Sequence, residues 1–433
     1  MEFEFPAVTI CSLIKLKVTR VRSYIRRTLG RNFSTEESES YVSTLLAISL
    51  LQFPHYNYAS EYIAILNSSS LKPIQNEDIP KIMIEVGHQI DDLFEICTWK
   101  GKPLNCKDIF HLQKTEEGFC YSFNSRTAEL ENRTNFTPLK NYLSGRHTGL
   151  GVTLKDPSDG NGFRKFARRY DGYNVIIHNP NEIPDVTNAY QIKRSSDKIN
   201  TIIVSPQKFL ADETIKNLPA KVRDCYWLEP TEEEEASHIF LRNGFCQASC
   251  RRDAIRSNCG CVPYFFEPVP GVKFCSIEHA KCLANMNVKL RNFDMYDLED
   301  MKECNQTIDT WSCRCIKFCS HVNYQTQFST APYHLLFSTN EYAHLDVTYF
   351  RRWGQTYRKE VKFTFGDLSA AVGGYASLLL GSSLISFLEI FYYFLRCLYL
   401  FITARFTNKK VVMDTRTQST KTIINYVEYP FLP

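Results

Sequence analysis

No charge of one sign dominates this 433-residue chain: 51 Lys and Arg face 47 Asp and Glu, a formal +4. So small and mixed a balance argues against a nucleic-acid partner. No low-complexity tract occurs, and 44% hydrophobic residues supply apolar material for two or three ordinary domains, which excludes disorder. No Ser-His-Asp or Cys-His constellation, phosphate loop or HExxH motif is present, and the ten His are scattered, so the chain does not read as an enzyme. A secretory leader is missing from the N-terminus, where Glu2 and Glu4 replace the basic region and Lys15 interrupts the apolar run early. Long apolar runs are absent with one exception. The stretch from Val42 to Phe53 is only 12 residues and reads as a core helix.

What is abundant is cysteine. There are 16, eleven of them between Cys225 and Cys319, which points to an oxidising compartment. Five N-x-S/T sequons, at Asn32, Asn67, Asn132, Asn135 and Asn305, point the same way as candidate glycosylation sites. The CxC and CxxxC spacings lack the paired knuckles of a zinc site, so no metal is expected. The acidic run Glu232 to Glu235 reads as a solvated face.

The one long apolar run has no charge over the 21 residues from Leu368 to Leu388 and continues through Glu389 to Leu395. It is a transmembrane helix candidate, with the lipid bilayer as its partner. As one helix, 28 residues would span about 42 Å against a hydrocarbon core of about 30 Å, which requires tilt, a break or an interfacial extension. Small residues are patterned along it. Ala370, Gly374, Ser377 and Gly381 follow one stripe where neighbouring helices can approach closely, and Ser382, Ser386 and Glu389 form a second. A carboxylate at that depth is costly against lipid and belongs where it faces water or a partner. A pore-lining helix is therefore a sharper reading than a simple anchor.

Upstream, three apolar runs separated by turns read as strands of a central sheet: residues 149–154, 173–178 and 201–204. Residues 361–365 alternate in the same way and would pass straight into the membrane helix, coupling sheet to pore. Residues 40–100 carry helical patterns, including Ile82 through Phe94.

Gly373-Gly374, six residues, Gly381-Ser382-Ser383, then Leu384 and Glu389 followed by aromatics, resembles the second transmembrane helix of the degenerin and epithelial sodium channel superfamily. Cys246-x3-Cys250, Cys259-Gly260-Cys261-Val262-Pro263, Cys275, Cys282 and Cys313-x-Cys315-x3-Cys319 resemble its thumb domain, in a form most like the insect pickpocket branch. Phe5-Pro6-Ala7-Val8-Thr9-Ile10-Cys11 and Glu117 through Asn124 are further matches. The resemblance runs from about residue 5 to residue 395.

The resemblance implies an α+β membrane protein: an extracellular domain over 1–367 with a β-sheet palm, helical finger and Cys-rich thumb (about 225–320), a pore-lining helix over 368–395, and a cytoplasmic tail over 396–433. It implies bridges between Cys11 and Cys120, Cys97 and Cys106, Cys225 and Cys319, Cys246 and Cys315, Cys250 and Cys313, Cys259 and Cys282, and Cys261 and Cys275. Cys304 is left over, and Cys397 falls at the inner end of the helix. The implied function is a subunit of a trimeric, homo- or heteromeric, amiloride-sensitive sodium channel of the plasma membrane, with sodium as permeant ion and no cofactor. Gly381, Ser382 and Ser383 would form the selectivity filter, Glu389 a cation ring, Ser377 the amiloride position, and Ala370, Gly373 and Gly374 a packing face. Where the family often carries Asp two residues before its Gly pair, Ala371 stands here, which argues against an acidic outer ring. In the family the Phe-Pro-Ala-Val-Thr motif follows a first transmembrane helix and a cytosolic His-Gly segment, and neither precedes Phe5, so the chain resembles a family member without them. The reading from a different class is a non-conducting, single-pass, disulfide-rich receptor or a truncated modulatory subunit.

Overall fold

The computed structural model describes residues 3–28, 35–65, 79–128, 136–157, 172–193, 198–227, 246–291, 315, 317–332, 342–381 and 383–407. The chain opens with β1 (Phe3–Glu4), β2 (Ala7–Ser12), α1 (Val18–Thr28), α2 (Thr35–Ser49), α3 (Tyr56–Ile65), α4 (Ile79–Val86), α5 (Ile90–Leu93), β3 (Phe94–Trp99), β4 (Lys102–Leu104), α6 (Cys106–Ile109), β5 (Phe110–Thr115) and β6 (Gly118–Phe123). There follow β7 (Lys140–Asn141), β8 (Leu150–Leu154), β9 (Tyr173–His178), β10 (Tyr190–Ile192), β11 (Lys198–Ala211), α7 (Ala220–Arg223), α8 (Cys246–Cys259), β12 (Cys261–Val262), β13 (Lys273–Phe274) and α9 (Ala280–Arg291). Last come β14 (His321–Pro332), β15 (Ala343–Tyr349), β16 (Gln355–Lys359), α10 (Phe365–Leu380) and α11 (Leu384–Thr407). Residues 1–360 and 361–433 form separate units.

The runs expected in one central sheet divide between two. In the five-stranded sheet the order is β10-β9-β2-β6-β5, and in the larger one it is β14-β11-β15-β8-β3-β4, with β16 also pairing β11. Their facing sides share a core: Val8 and Ile10 of β2, Tyr173 and Val175 of β9, Leu150, Val152 and Leu154 of β8, and Leu345 and Val347 of β15. Each set has the period of two that a pleated strand requires. The opposite face of the five-stranded sheet, with Cys11, Cys120 and Ile176, packs on helical residues including Tyr56, Ala254, Ile255, Leu283 and Leu290. A third cluster joins α1, α2 and α4 to Tyr264 and Phe265.

The two N-terminal motifs have a local physical cause. Phe5 is fully buried, with Trp99, Tyr349 and Phe123 ring centroids at 4.7, 5.4 and 6.1 Å. Asn124 closes the other motif in a left-handed conformation (φ 55°), donating to the Phe5 carbonyl at 2.6 Å and accepting from the Leu139 amide at 2.8 Å. Asn tolerates that backbone because its short amide satisfies neighbouring main-chain groups.

Among the described residues, six disulfides join Cys11 to Cys120, Cys97 to Cys106, Cys225 to Cys319, Cys246 to Cys315, Cys259 to Cys282 and Cys261 to Cys275. Cys250 is also disulfide-bonded. Cys313, Cys304, Glu232 to Glu235, and the sequon residues Asn32, Asn67, Asn132, Asn135 and Asn305 lie outside the described residues. Cys397 is an exposed free thiol.

Three local expectations are corrected. The apolar run at 42–53 is helical only to Ser49, where α2 ends. The helical pattern through Phe94 breaks after Val86, resumes for one turn over Ile90–Leu93, and gives way to strand at Phe94. Residues 361–365 contain no strand; the last one among the described residues is β16, in register with Gln207 to Ala211 of β11. Thr364 instead caps the helix that follows, α10, so the end of the segment is committed to a helix start rather than to a ladder.

A buried ion pair fastens α8 to the β5–β6 turn. Arg251 donates from Nη1 to Glu116 at 2.5 Å, both side chains being about 5% exposed or less, and its guanidinium lies 4.6 Å from the Phe53 ring centroid. Burial pushes the Glu116 carboxyl up to about 7, with Arg251 opposing. A carboxyl raised above its unfolded value contributes stability that is complete below that unfolded value and is lost as pH rises through 7. His178, lowered to about 4 by burial, acts in the opposite direction between pH 4 and its ordinary value. The informative comparison is therefore between wild type and Glu116→Gln. In thermal unfolding of the solubilised chain from pH 5 to 8, the wild type should lose stability relative to the variant as pH rises; parallel profiles would refute this role.

Candidate ion-conducting site

Of the tilt, break or interfacial extension that the length of the apolar segment requires, the structure shows a break: two helices flank Gly381. α10 begins with a reciprocal cap: the Asp367 amide donates to Thr364 Oγ1 at 3.2 Å and the Thr364 amide to the Asp367 carboxylate at 2.9 Å. It ends at Gly381, which is left-handed (φ 61°, ψ 16°). Only a residue without Cβ takes that conformation at no steric cost, and taking it ends the helix.

α11 then starts anew. The Ser383 amide donates to Ser386 Oγ at 3.3 Å, and the Ser386 amide donates back to Ser383 Oγ at 3.3 Å. Ser383 thus holds the first turn of α11 through Ser386, a capping role that the sequence reading passed over although the Ser-x-x-Ser spacing was visible. The same is true of Thr364-x-x-Asp367, which lay in the segment read as strand. Ser382 lies outside the described residues.

The break redistributes the two stripes. Ala370, Gly373, Gly374 and Ser377 lie on α10, and a Cβ built at Gly373 or Gly374 would meet nothing within 4 Å. Ser386 and Glu389 share a face of α11 at a spacing of three. Arg396 does not end the helix, which runs on to Thr407. At 1.5 Å per residue α10 is about 24 Å long and α11 about 36 Å.

Among the described residues, one helix, over Ile385–Thr403, is long and apolar enough to cross a membrane. Its side chains are exposed around the whole circumference, Phe387, Ile390 and Phe401 among them. A helix apolar on every side is not stable facing water; it needs lipid or other protein. The sulfur clusters that could suggest a metal, Cys246 with Cys250 and Cys315, and Cys11 with Cys120 beside Glu117, consist of disulfide sulfurs rather than the thiolates a metal requires.

The amiloride-sensitive sodium channel family model matches residues 1–393. The chain belongs to this family. Its relatives include Pickpocket protein 19 of Drosophila melanogaster, 26% identical over 90% of this chain and 76% of that protein. The sodium channel protein Nach of the same fly is 23% identical over 90% of this chain and 73% of its own length. The bile acid-sensitive ion channel of Mus musculus is 25% identical over 91% and 74%. The insect pickpocket-like character is thus established, and membership makes the chain an ion-channel subunit and points away from catalysis.

The reciprocal Ser383–Ser386 cap has a local test. Ser383→Ala removes the acceptor for the Ser386 amide, and loss of such a cap costs about 1 kcal/mol. Hydrogen exchange at the first turn of α11 should accelerate about five-fold at that cost, with exchange in the two sheets unchanged. Unchanged exchange at Ser386 would rule out the capping role.

Proposed function

We propose that the chain is a subunit of a trimeric, amiloride-sensitive, sodium-selective channel of the plasma membrane. The observation that carries this reading is the left-handed Gly381 inside an apolar segment. Backbone released from helical hydrogen bonding at membrane depth is tolerated only where it lines a wet cavity or is buried in protein, and free carbonyls are oxygen ligands suited to a hard cation such as sodium. Gly381, Ser382 and Ser383 form the constriction in this reading, with Ser383 also fixing the helix below it. Glu389 from each subunit supplies an acidic ring that concentrates cations, and Ser377 is the amiloride position. Ala370, Gly373 and Gly374 let neighbouring helices approach.

In the same reading residues 1–367 are extracellular, the paired sheets form the palm, α1 to α4 the finger and the Cys-rich segment the thumb. Cys250 pairs with Cys313, and the sequon asparagines carry glycans. The tail follows the membrane segment. The names of the relatives, sodium channels and an ion channel among them, support a conducting role over a receptor ectodomain.

Gly381→Leu tests the constriction. In cells where the wild-type chain, alone or with partner subunits, carries sodium current, the variant should reach the surface at comparable levels and pass none, because the side chain fills the narrowest point and strains the left-handed residue. Normal current with normal sodium preference would overturn the assignment.

A further inference from the structure

A cavity of ≈ 540 Å³ lies between the finger helices and the five-stranded sheet, within the unit 1–360. That volume falls in the range of about 300–1,000 Å³ typical of small-ligand sites. Its apolar lining comes from four different elements, represented by Ile14 after β2, Ile84 of α4, Leu112 of β5 and Phe119 of β6. Three cationic residues also line it: Lys15, Arg20 and Lys107.

Lys15 is the decisive residue. Its side chain is only 5% exposed, and its Nζ makes no hydrogen bond. The nearest carboxylate is Glu117, with an oxygen 3.8 Å away, too far for a hydrogen bond; its other oxygen accepts from Asn174, and Glu117 itself does not line the cavity. Arg20 bonds Asp92 through Nη2 at 3.0 Å, yet its buried Nε also lacks an acceptor. Asp91, the one carboxylate in the lining, is 2.7 Å from Lys107, and both of these side chains are more than half exposed. The hydrogen-bonding groups left unsatisfied at Lys15 and Arg20 are thus donors. Glu117 Oε2, itself buried without a hydrogen-bond partner, offsets the Lys15 charge, but three N–H groups with no acceptor within hydrogen-bond distance remain costly unless something else supplies one.

We propose that this cavity binds a small organic anion, a carboxylate or sulfonate on a compact apolar body, with the anionic group on Lys15 and Arg20 and the body against Ile14, Ile84, Leu112 and Phe119. The anion would provide charge-assisted hydrogen bonds to donors that the protein leaves open, and the apolar wall would contribute burial. The site is independent of the conduction pathway and is read by binding alone.

The probe is 2-naphthoate, with 2-naphthylmethanol and 2-naphthylmethylamine as neutral and cationic counterparts. Each is measured by equilibrium dialysis against the full chain in lipid nanodiscs, with empty nanodiscs subtracted. The expected result is a preference of at least about ten-fold for the naphthoate over both counterparts, lost in Lys15→Met, which keeps the stem and removes the ammonium. Ile84→Trp, which fills the cavity from a half-buried position, should abolish naphthoate binding while Lys15 remains. Equal binding of naphthoate and the alcohol to wild type, a preference that survives Lys15→Met in folded protein, or full binding to Ile84→Trp would each overturn the proposal. If Lys15→Met fails to fold, the wild-type preference and Ile84→Trp still decide it.

Discussion

Two hydrophobic cores share a single strand. No residue of β2 is exposed, and its alternating side chains feed opposite sides: Val8 and Ile10 enter the core between the sheets, while Cys11 enters the core against the helices. A strand buried on both faces has no solvent side onto which its register could slip, because a one-residue shift would exchange both sets at once. The bridge from Cys11 to Cys120 fixes that register covalently to β6. Thr9, fully buried, finds Ser122 Oγ at 2.5 Å and His178 Nε2 at 2.8 Å on the two neighbouring strands, so the polar group in this dry position is satisfied.

That dependence explains why the polar residues of the β5–β6 turn are buried as well. Glu116 and Glu117 follow Thr115 in the hairpin that carries Cys120, and both are buried. Glu116 meets Arg251 of α8, and Glu117 meets Lys15 and Asn174. Burial pushes both carboxyls up and Lys15 down, with each opposite charge working against the shift. Ion pairs of this kind are poor sources of net stability, but removing one partner strands the other in a low-dielectric site, so they discriminate strongly against alternative packings. The open donors of Lys15 stand at the edge of the same arrangement.

In the membrane segment the governing constraint is different. An apolar helix carries no internal signal that tells one turn from the next, so its interruptions have to be written by residues with special backbone chemistry. Gly381 does this by adopting a conformation that ends α10, and Ser383 with Ser386 restarts the hydrogen-bond ladder two residues later. The same polar exchange opens α10 at Thr364 and Asp367, where it replaces the strand that alternation alone suggested.

The sequence by itself determined the family and the existence of the apolar segment, because these rest on covalent identities: cysteine spacing, glycine and serine positions, and a run without charge. It also determined where several strands lie, since apolar runs bounded by turns are a local property of the chain, as in 150–154 and 173–178. The tertiary structure decided which sheet each strand joined, because pairing depends on edges that only folding creates; β9 pairs β2, more than 160 residues away, and not β8, its neighbour in sequence. It likewise decided that 361–365 would not be a strand, since Thr364 there exchanges hydrogen bonds with Asp367 to open α10. The burial of Lys15, Glu116 and Glu117 was equally out of reach: charged residues read locally as surface, and only contacts from distant parts of the chain, such as Arg251 to Glu116 and Asn174 to Glu117, show where they lie.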